Sequence, residues 1–142
     1  EAVASNFDEA ILLNYDGTVS EGSGENLFMI RDNKIITPTE TDNCLLGITR
    51  DSIIEIAEKE LGIKVIERQI HRSELYLADE IFLTGTAAHV TSVGSLDNRK
   101  IGSGQIGELT KKLQELYFSI VIDNESVTKK SNYSKWLTSF SV

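Results

Sequence analysis

Cysteine is nearly absent. Cys44 stands alone among 142 residues, so the chain cannot build a disulfide scaffold. Histidine occurs twice, at His71 and His89, and no Cys/His spacing matches a metal site. No apolar run approaches the roughly 20 residues of a membrane span, which excludes a transmembrane helix. Basic residues are scarce, 14 against 22 acids, for a net charge of −8. A general nucleic-acid binder would need the opposite balance. The acidic excess names no partner, because it also serves solubility. Methionine occurs once, at Met29, and the chain opens on Glu1 without a signal-peptide pattern. Glu1 to Ala4 reads as the last turn of a helix, with Asn6 as its left-handed stop. That beginning is expected of a fragment of a longer polypeptide, the alternative being a frayed natural terminus after processing.

What remains is enough for one ordinary domain: 40% apolar and 25% charged residues. Ala10–Asn14 is a short apolar run, followed by turn chemistry at Tyr15-Asp16-Gly17-Thr18. Two further apolar runs, 26–31 and 34–37, flank Asp32-Asn33 and predict a two-residue hairpin. Pro38 ends the second and opens a polar loop through Asn43. Ile53, Ile54, Ala57 and Leu61 form one helical stripe, with Thr49 as the expected N-cap and Gly62 as the residue past the end. Residues 64–70 alternate as a strand, 73–78 suit a helical turn, and 80–84 suit a buried strand. A strand over 89–96 turns at Asn98 into a short partner at 100–101. Glycines 102, 104 and 107 precede a second helix carrying Ile106, Leu109, Leu113 and Leu116. In the polar tail, Trp136, Leu137 and Phe140 are candidates to dock back. The order of elements predicts a mixed α and β domain in which strands dominate.

Three loops share a design. Ser20-Glu21-Gly22-Ser23-Gly24-Glu25-Asn26 joins two strands, and its glycines permit close backbone approach to a ligand. Its carboxylates fit a ligand-facing loop, while its composition alone favours a solvated Gly/Ser turn. Gly47-Ile48-Thr49-Arg50 precedes the best helix, where free N–H groups and the helix dipole attract phosphate or carboxylate. An ordinary N-cap is the alternative. Gly85-Thr86-Ala87-Ala88 follows an apolar strand, and its small residues fit either exposed amide donors or tight packing. Each histidine suits a surface or partly buried position, and Cys44 has no base nearby in sequence to make it a nucleophile.

Taken together, SEGSGENLF at 20–28, LLGITRDSI at 45–53, ELYLADEIFLTGTAAHVT at 74–91 and YSKWLT at 133–138 resemble the branched-chain amino-acid aminotransferases, enzymes of fold type IV. The related D-amino-acid transaminases and aminodeoxychorismate lyases share the fold but usually lack the GEN ending of the first motif. The resemblance implies a single α+β domain over 1–142, a mixed-sheet pseudo-barrel with flanking helices. It implies pyridoxal 5′-phosphate as cofactor, an amino acid and a 2-oxo acid as substrates, a homo-oligomer (dimer or higher), and a cytoplasmic setting without nucleic acid, membrane or metal. Leucine, isoleucine and valine would exchange their amino group with 2-oxoglutarate.

The resemblance also assigns roles. The carboxylate of Glu21 would face the pyridine nitrogen and keep it protonated, which suits the ring to accept electrons. Leu45 would pack on the ring. Gly47, Ile48 and Thr49 would cradle the phosphate at the helix start, with Thr86, beside Gly85, as a second phosphate ligand. The amides of Thr86 and Ala87 would receive the substrate carboxylate. In the family the Schiff-base lysine precedes the glutamate loop, and no lysine precedes Lys34 here. The expectation is therefore the large cofactor-binding domain, inactive as an isolated chain, with a non-catalytic binding module as the competing reading. Two positions depart from the family's usual proline, Thr39 and Ser92, each loss worth up to about 1 kcal/mol of loop stiffness.

Overall fold

The computed structural model describes residues 2–121 and Tyr133. Expectations for Glu1 and for Trp136, Leu137 and Phe140 lie outside the described residues. A 3-10 turn at Val3–Ser5 leads, ended by Asn6 at φ 61°. Nine strands follow in order: β1 (Ile11–Leu13), β2 (Val19–Gly22), β3 (Asn26–Arg31), β4 (Lys34–Thr37), β5 (Ile66–Glu67), β6 (Glu80–Gly85), β7 (His89–Ser92), β8 (Ser95–Leu96) and β9 (Arg99–Lys100). Between and after them run α1 (Ile48–Glu60), α2 (Arg72–Leu75) and α3 (Glu108–Val121).

The main sheet has the order β5-β4-β3-β6-β7, with β4 and β5 parallel and the other neighbours antiparallel. The β3–β4 hairpin turns at Asp32 and Asn33, both in the left-handed region at φ 51° and 57°, as their sequence predicts. β3 and β6 are buried on both faces, which is why they read as continuous apolar runs. On one face Phe28 and Phe82 stack across the strands at 4.8 Å, and pack with Ile53, Ile56 and Ala57 of α1 and Leu113 and Ile120 of α3. Tyr133 is buried in this same core. On the other face Leu27, Met29, Ile81 and Leu83 pack with Val19, Ile70, Leu75 and Ile101.

Around that second core the sheet curls. The Val19 N–H donates to the Ile70 carbonyl at 2.8 Å and Thr18 bridges His71, so the β1–β2 ribbon leans on the segment after β5. This is the mixed-sheet pseudo-barrel with flanking helices.

Three expectations are corrected. Only Ile66 and Glu67 of the 64–70 segment form a strand, because its side chains alternate but its backbone finds β4 for two residues alone. The 89–96 strand is two elements, β7 and β8. Ile106 lies before α3, not in its stripe. No helix among the described residues is long and apolar enough to cross a membrane.

Candidate active site

At one end of the sheet, β3 begins, β6 ends and α1 starts. Asn26, the first residue of β3, faces Thr84 of β6 in the register. Its buried side chain reaches out of the sheet. Nδ2 donates to the Leu45 carbonyl at 2.5 Å and to Glu21 Oε2 at 3.3 Å. Its Oδ1 lies against Gly47, where a Cβ would stand only 2.5 Å away. One amide therefore meets three of the residues predicted for the site.

Glu21 lies where the β1–β2 register shifts. Ile11 pairs with Gly22 and Leu13 with Val19, so two steps along β1 face three along β2. An extra residue of this kind re-directs side chains, and bulges recur beside active sites. Glu21 Oε2 also accepts the Leu45 N–H at 3.0 Å, while its Oε1 has no partner among the described residues. The carboxylate is fixed by one oxygen and free at the other.

The loop before α1 is anchored from below. Ser20 Oγ donates to the Asn43 carbonyl at 2.8 Å, and Asn14 Nδ2 to the Asp42 carbonyl at 2.9 Å. The buried Asp42 carboxylate accepts the Thr39 N–H at 2.8 Å and the Thr39 hydroxyl at 2.7 Å. Buried Arg50 donates to the Pro38 carbonyl at 3.1 Å and to Glu67 Oε2 at 2.6 Å, which ties α1 to the β4–β5 edge.

Thr49 is not the N-cap. Gly47 is, accepting the Asp51 N–H at 3.1 Å, and no side chain caps the helix. The N–H groups of Ile48, Thr49 and Arg50 thus have no acceptor among the described residues. Thr49 is a buried residue, and its hydroxyl makes no hydrogen bond among the described residues. Leu45 and Ile48 are exposed apolar side chains, 77% and 83% accessible, flanking this open end.

The third loop packs onto the first. A Cβ on Gly85 would lie 3.1 Å from the Gly24 carbonyl oxygen and from Glu25 Cγ, so glycine is what lets the two loops touch. Thr86 and Ala87 are exposed at the turn joining β6 to β7. Their N–H groups, with that of Ala88, make no hydrogen bond among the described residues. No hydrogen bond there links Thr86 or Ala87 to the other two loops. Two residues escaped the sequence reading of the site. Asn26 had no signal beyond its place in the motif, since the shorter of its two bonds goes to Leu45, 19 residues along the chain. Thr84 has a buried hydroxyl without a partner among the described residues, on the same strand face as Asn26 by register.

The remaining candidates recede. Cys44 Sγ donates to the Thr39 carbonyl at 3.1 Å, and burial pushes its thiol up, away from a reactive thiolate. His71 is the N-cap of α2. His89 stands at φ 53° with its ring edge-on to Phe118, 5.4 Å between centroids.

Against known proteins, the profile "Amino-transferase class IV" matches residues 1–96. A probable branched-chain-amino-acid aminotransferase of Aquifex aeolicus is 56% identical over 97% of this chain and 43% of its own length. That of Pseudomonas aeruginosa is 47% identical over 97% of the chain and 43% of its own length. Among solved structures, the branched-chain amino acid aminotransferase of Thermobaculum terrenum in its PLP form superposes with a TM-score of 0.89 at 39% identity. It covers 96% of this chain and 43% of that one. The Escherichia coli enzyme gives 0.82 at 47% identity, over 84% of this chain and 40% of its own. The chain thus spans about two fifths of the length of the relatives it matches. With the profile matched over more than half of its residues and the fold shared with solved members, this chain belongs to the class IV amino-transferase family.

Proposed function

We propose that this chain is the cofactor-binding part of a branched-chain amino-acid aminotransferase that uses pyridoxal 5′-phosphate. Leucine, isoleucine and valine are the amino donors and 2-oxoglutarate the acceptor. The observation that carries the reading is the Glu21–Leu45 bond. It fixes the Glu21 carboxylate to Leu45, two residues before the N-cap Gly47 of a helix that no side chain caps, so a ring-nitrogen partner and an anion cradle lie side by side.

The residues fit the cofactor. Three free N–H groups at the start of α1 and the unpartnered Thr49 hydroxyl suit a phosphate, which the positive end of the helix dipole also favours. The free Glu21 Oε1 suits a protonated pyridine nitrogen. When bound, the cofactor supplies an electron sink for the pair left at the substrate α-carbon. Glu21 holds the proton at the ring nitrogen. Leu45 covers the ring and excludes water. The amides of Thr86 and Ala87 orient the substrate carboxylate, and the Thr86 hydroxyl adds a donor to the phosphate. Exposed Leu45, Leu46 and Ile48 support a partner surface beside the site, in keeping with a homo-oligomer. With no lysine among residues 1–33, the isolated chain binds the cofactor without turning it over.

The test is titration of the chain with pyridoxal 5′-phosphate, followed by borohydride reduction and peptide mass analysis. Saturable binding that Thr86→Val weakens by about 1.5–3 kcal/mol, the range for a hydrogen bond to a charged group, is expected. No lysine should be labelled stoichiometrically. Absence of binding would remove the cofactor assignment, and full labelling of one lysine would overturn the claim that the chain binds without reacting.

A further inference from the structure

Asn26 touches more of the candidate site than any side chain predicted for it. Its amide hydrogens go to the Leu45 carbonyl and Glu21 Oε2, and its oxygen sits over the Gly47 backbone. The residue is 6% exposed, so these bonds are shielded from competing water. Leu45 is then held at both of its backbone groups: the carbonyl by Asn26, the N–H by Glu21. From these contacts we infer that Asn26 is the positioning residue of the site. It locks the Glu21 carboxylate to the Leu45 backbone and keeps the start of α1 open to an anion. The cofactor half of this inference rests on the function proposed above; the geometric half stands on the contacts alone.

Chemistry explains why the residue is an amide. An aspartate at 26 has the same shape but no hydrogen to donate. It would face the Leu45 carbonyl oxygen and the Glu21 carboxylate with like charge. It would also set a negative oxygen beside the N-cap of α1, where free N–H groups wait. A carboxylate does fill a helix start elsewhere in this molecule: Glu80 accepts the Leu109 and Thr110 N–H groups of α3. The amide at 26 avoids that outcome while still bonding both neighbours. Alanine removes the donors without adding charge, and serine keeps one short donor.

The experiment uses the chain carrying Asn26→Asp, Asn26→Ala or Asn26→Ser. Hydrogen exchange of the Leu45 amide is measured by NMR against that of Val93, which donates to the Ile81 carbonyl of β6. Affinity for pyridoxal 5′-phosphate is measured by fluorescence. In Asn26→Asp the Leu45-to-Val93 exchange ratio should rise about tenfold or more, and cofactor affinity should fall at least about tenfold. Asn26→Ala should give the same rise in the ratio, so the result does not hang on one variant folding. Asn26→Ser should recover part of it. A parental ratio in the folded variants would overturn the inference. If the parent chain binds no cofactor, the proposed function falls, and the exchange ratio alone still decides the positioning role.

Discussion

The two long helices begin in nearly the same way and end up with opposite electrostatics. Each has a glycine N-cap whose carbonyl accepts the N–H four residues on, Gly47 from Asp51 and Gly107 from Lys111. Each glycine is pressed against a polar side chain from the central strands. A Cβ on Gly47 would lie 2.5 Å from Asn26 Oδ1, and one on Gly107 only 1.9 Å from Glu80 Cδ. The strand residue makes the difference. Glu80 turns both carboxylate oxygens to α3 and accepts from Leu109 at 3.1 Å and Thr110 at 2.8 Å. Asn26 turns its hydrogens away from α1, to Leu45 and Glu21. One helix start is closed by the protein's own anion. The other keeps its first N–H groups without an acceptor among the described residues, which is the opening the proposed function assigns to a phosphate. A glycine before a helix therefore says little about binding until the side chain facing it is known.

Alanine at the two glycines should separate these roles most sharply. In Gly107→Ala the new methyl must displace Glu80, and the charged cap goes with it. A loss of about 2 kcal/mol in urea denaturation is expected, with cofactor affinity unchanged. In Gly47→Ala the buried Asn26 has nowhere to swing, so the α1 cradle itself shifts. Stability should fall by about 1–3 kcal/mol, and cofactor affinity should fall with it. Equal stability of Gly107→Ala and the parent would mean that Glu80 does not hold α3. Unchanged affinity in Gly47→Ala would mean that the start of α1 is not the cradle.

A gentler change turns one helix start toward the other. Glu80→Gln keeps the length of the side chain but leaves one acceptor oxygen for two N–H groups, and removes the charge that suits the helix dipole. We expect about 1 kcal/mol of lost stability, read from the shift of the urea midpoint at constant slope. A variant as stable as the parent would show that shape, not charge, closes α3.

Much of the frame was legible because it is local. The Asp32-Asn33 hairpin, the Gly62 stop at φ 65° and the buried runs of β3 and β6 follow from turn chemistry and burial within a few residues. The α1 stripe was nearly right: Ile53 and Ala57 are buried, but Ile56 is the third core residue and Ile54 only partly covered. The site was legible as three separate weak loops, and only the resemblance gathered them. The choice of Thr49 as N-cap failed for a physical reason. A cap is recognised by a side chain that bonds its own helix, and α1 has none. What decides its state is Asn26, whose partners lie 5 and 19 residues away through the fold. Spacing cannot encode a contact of that kind.

The approaches to the two helices differ as well, and the smallest effect tests that difference. α3 is reached through Gly102 and Gly104, both at positive φ, with the Gly104 N–H on the Ile101 carbonyl. α1 is reached through a loop held by side chains, in which Thr39 gives both its N–H and its hydroxyl to buried Asp42. The sequence alone suggests that proline at 39 would stiffen this loop and stabilise it by up to about 1 kcal/mol. The structure reverses the sign. Proline has no N–H, and Thr39→Pro also loses the hydroxyl, so a carboxylate whose Oδ1 has no partner among the described residues would lose both of these bonds to Oδ2. Both bonds end on one oxygen, and Thr39 is only half-buried, so water replaces the hydroxyl. One bond to the charged group is lost for good, worth about 1.5–3 kcal/mol, which exceeds the gain from the ring. Thr39→Pro should therefore be slightly less stable than the parent, by about 1 kcal/mol in urea denaturation. A stabilised variant would mean that backbone stiffness, not the Asp42 carboxylate, organises the approach to α1.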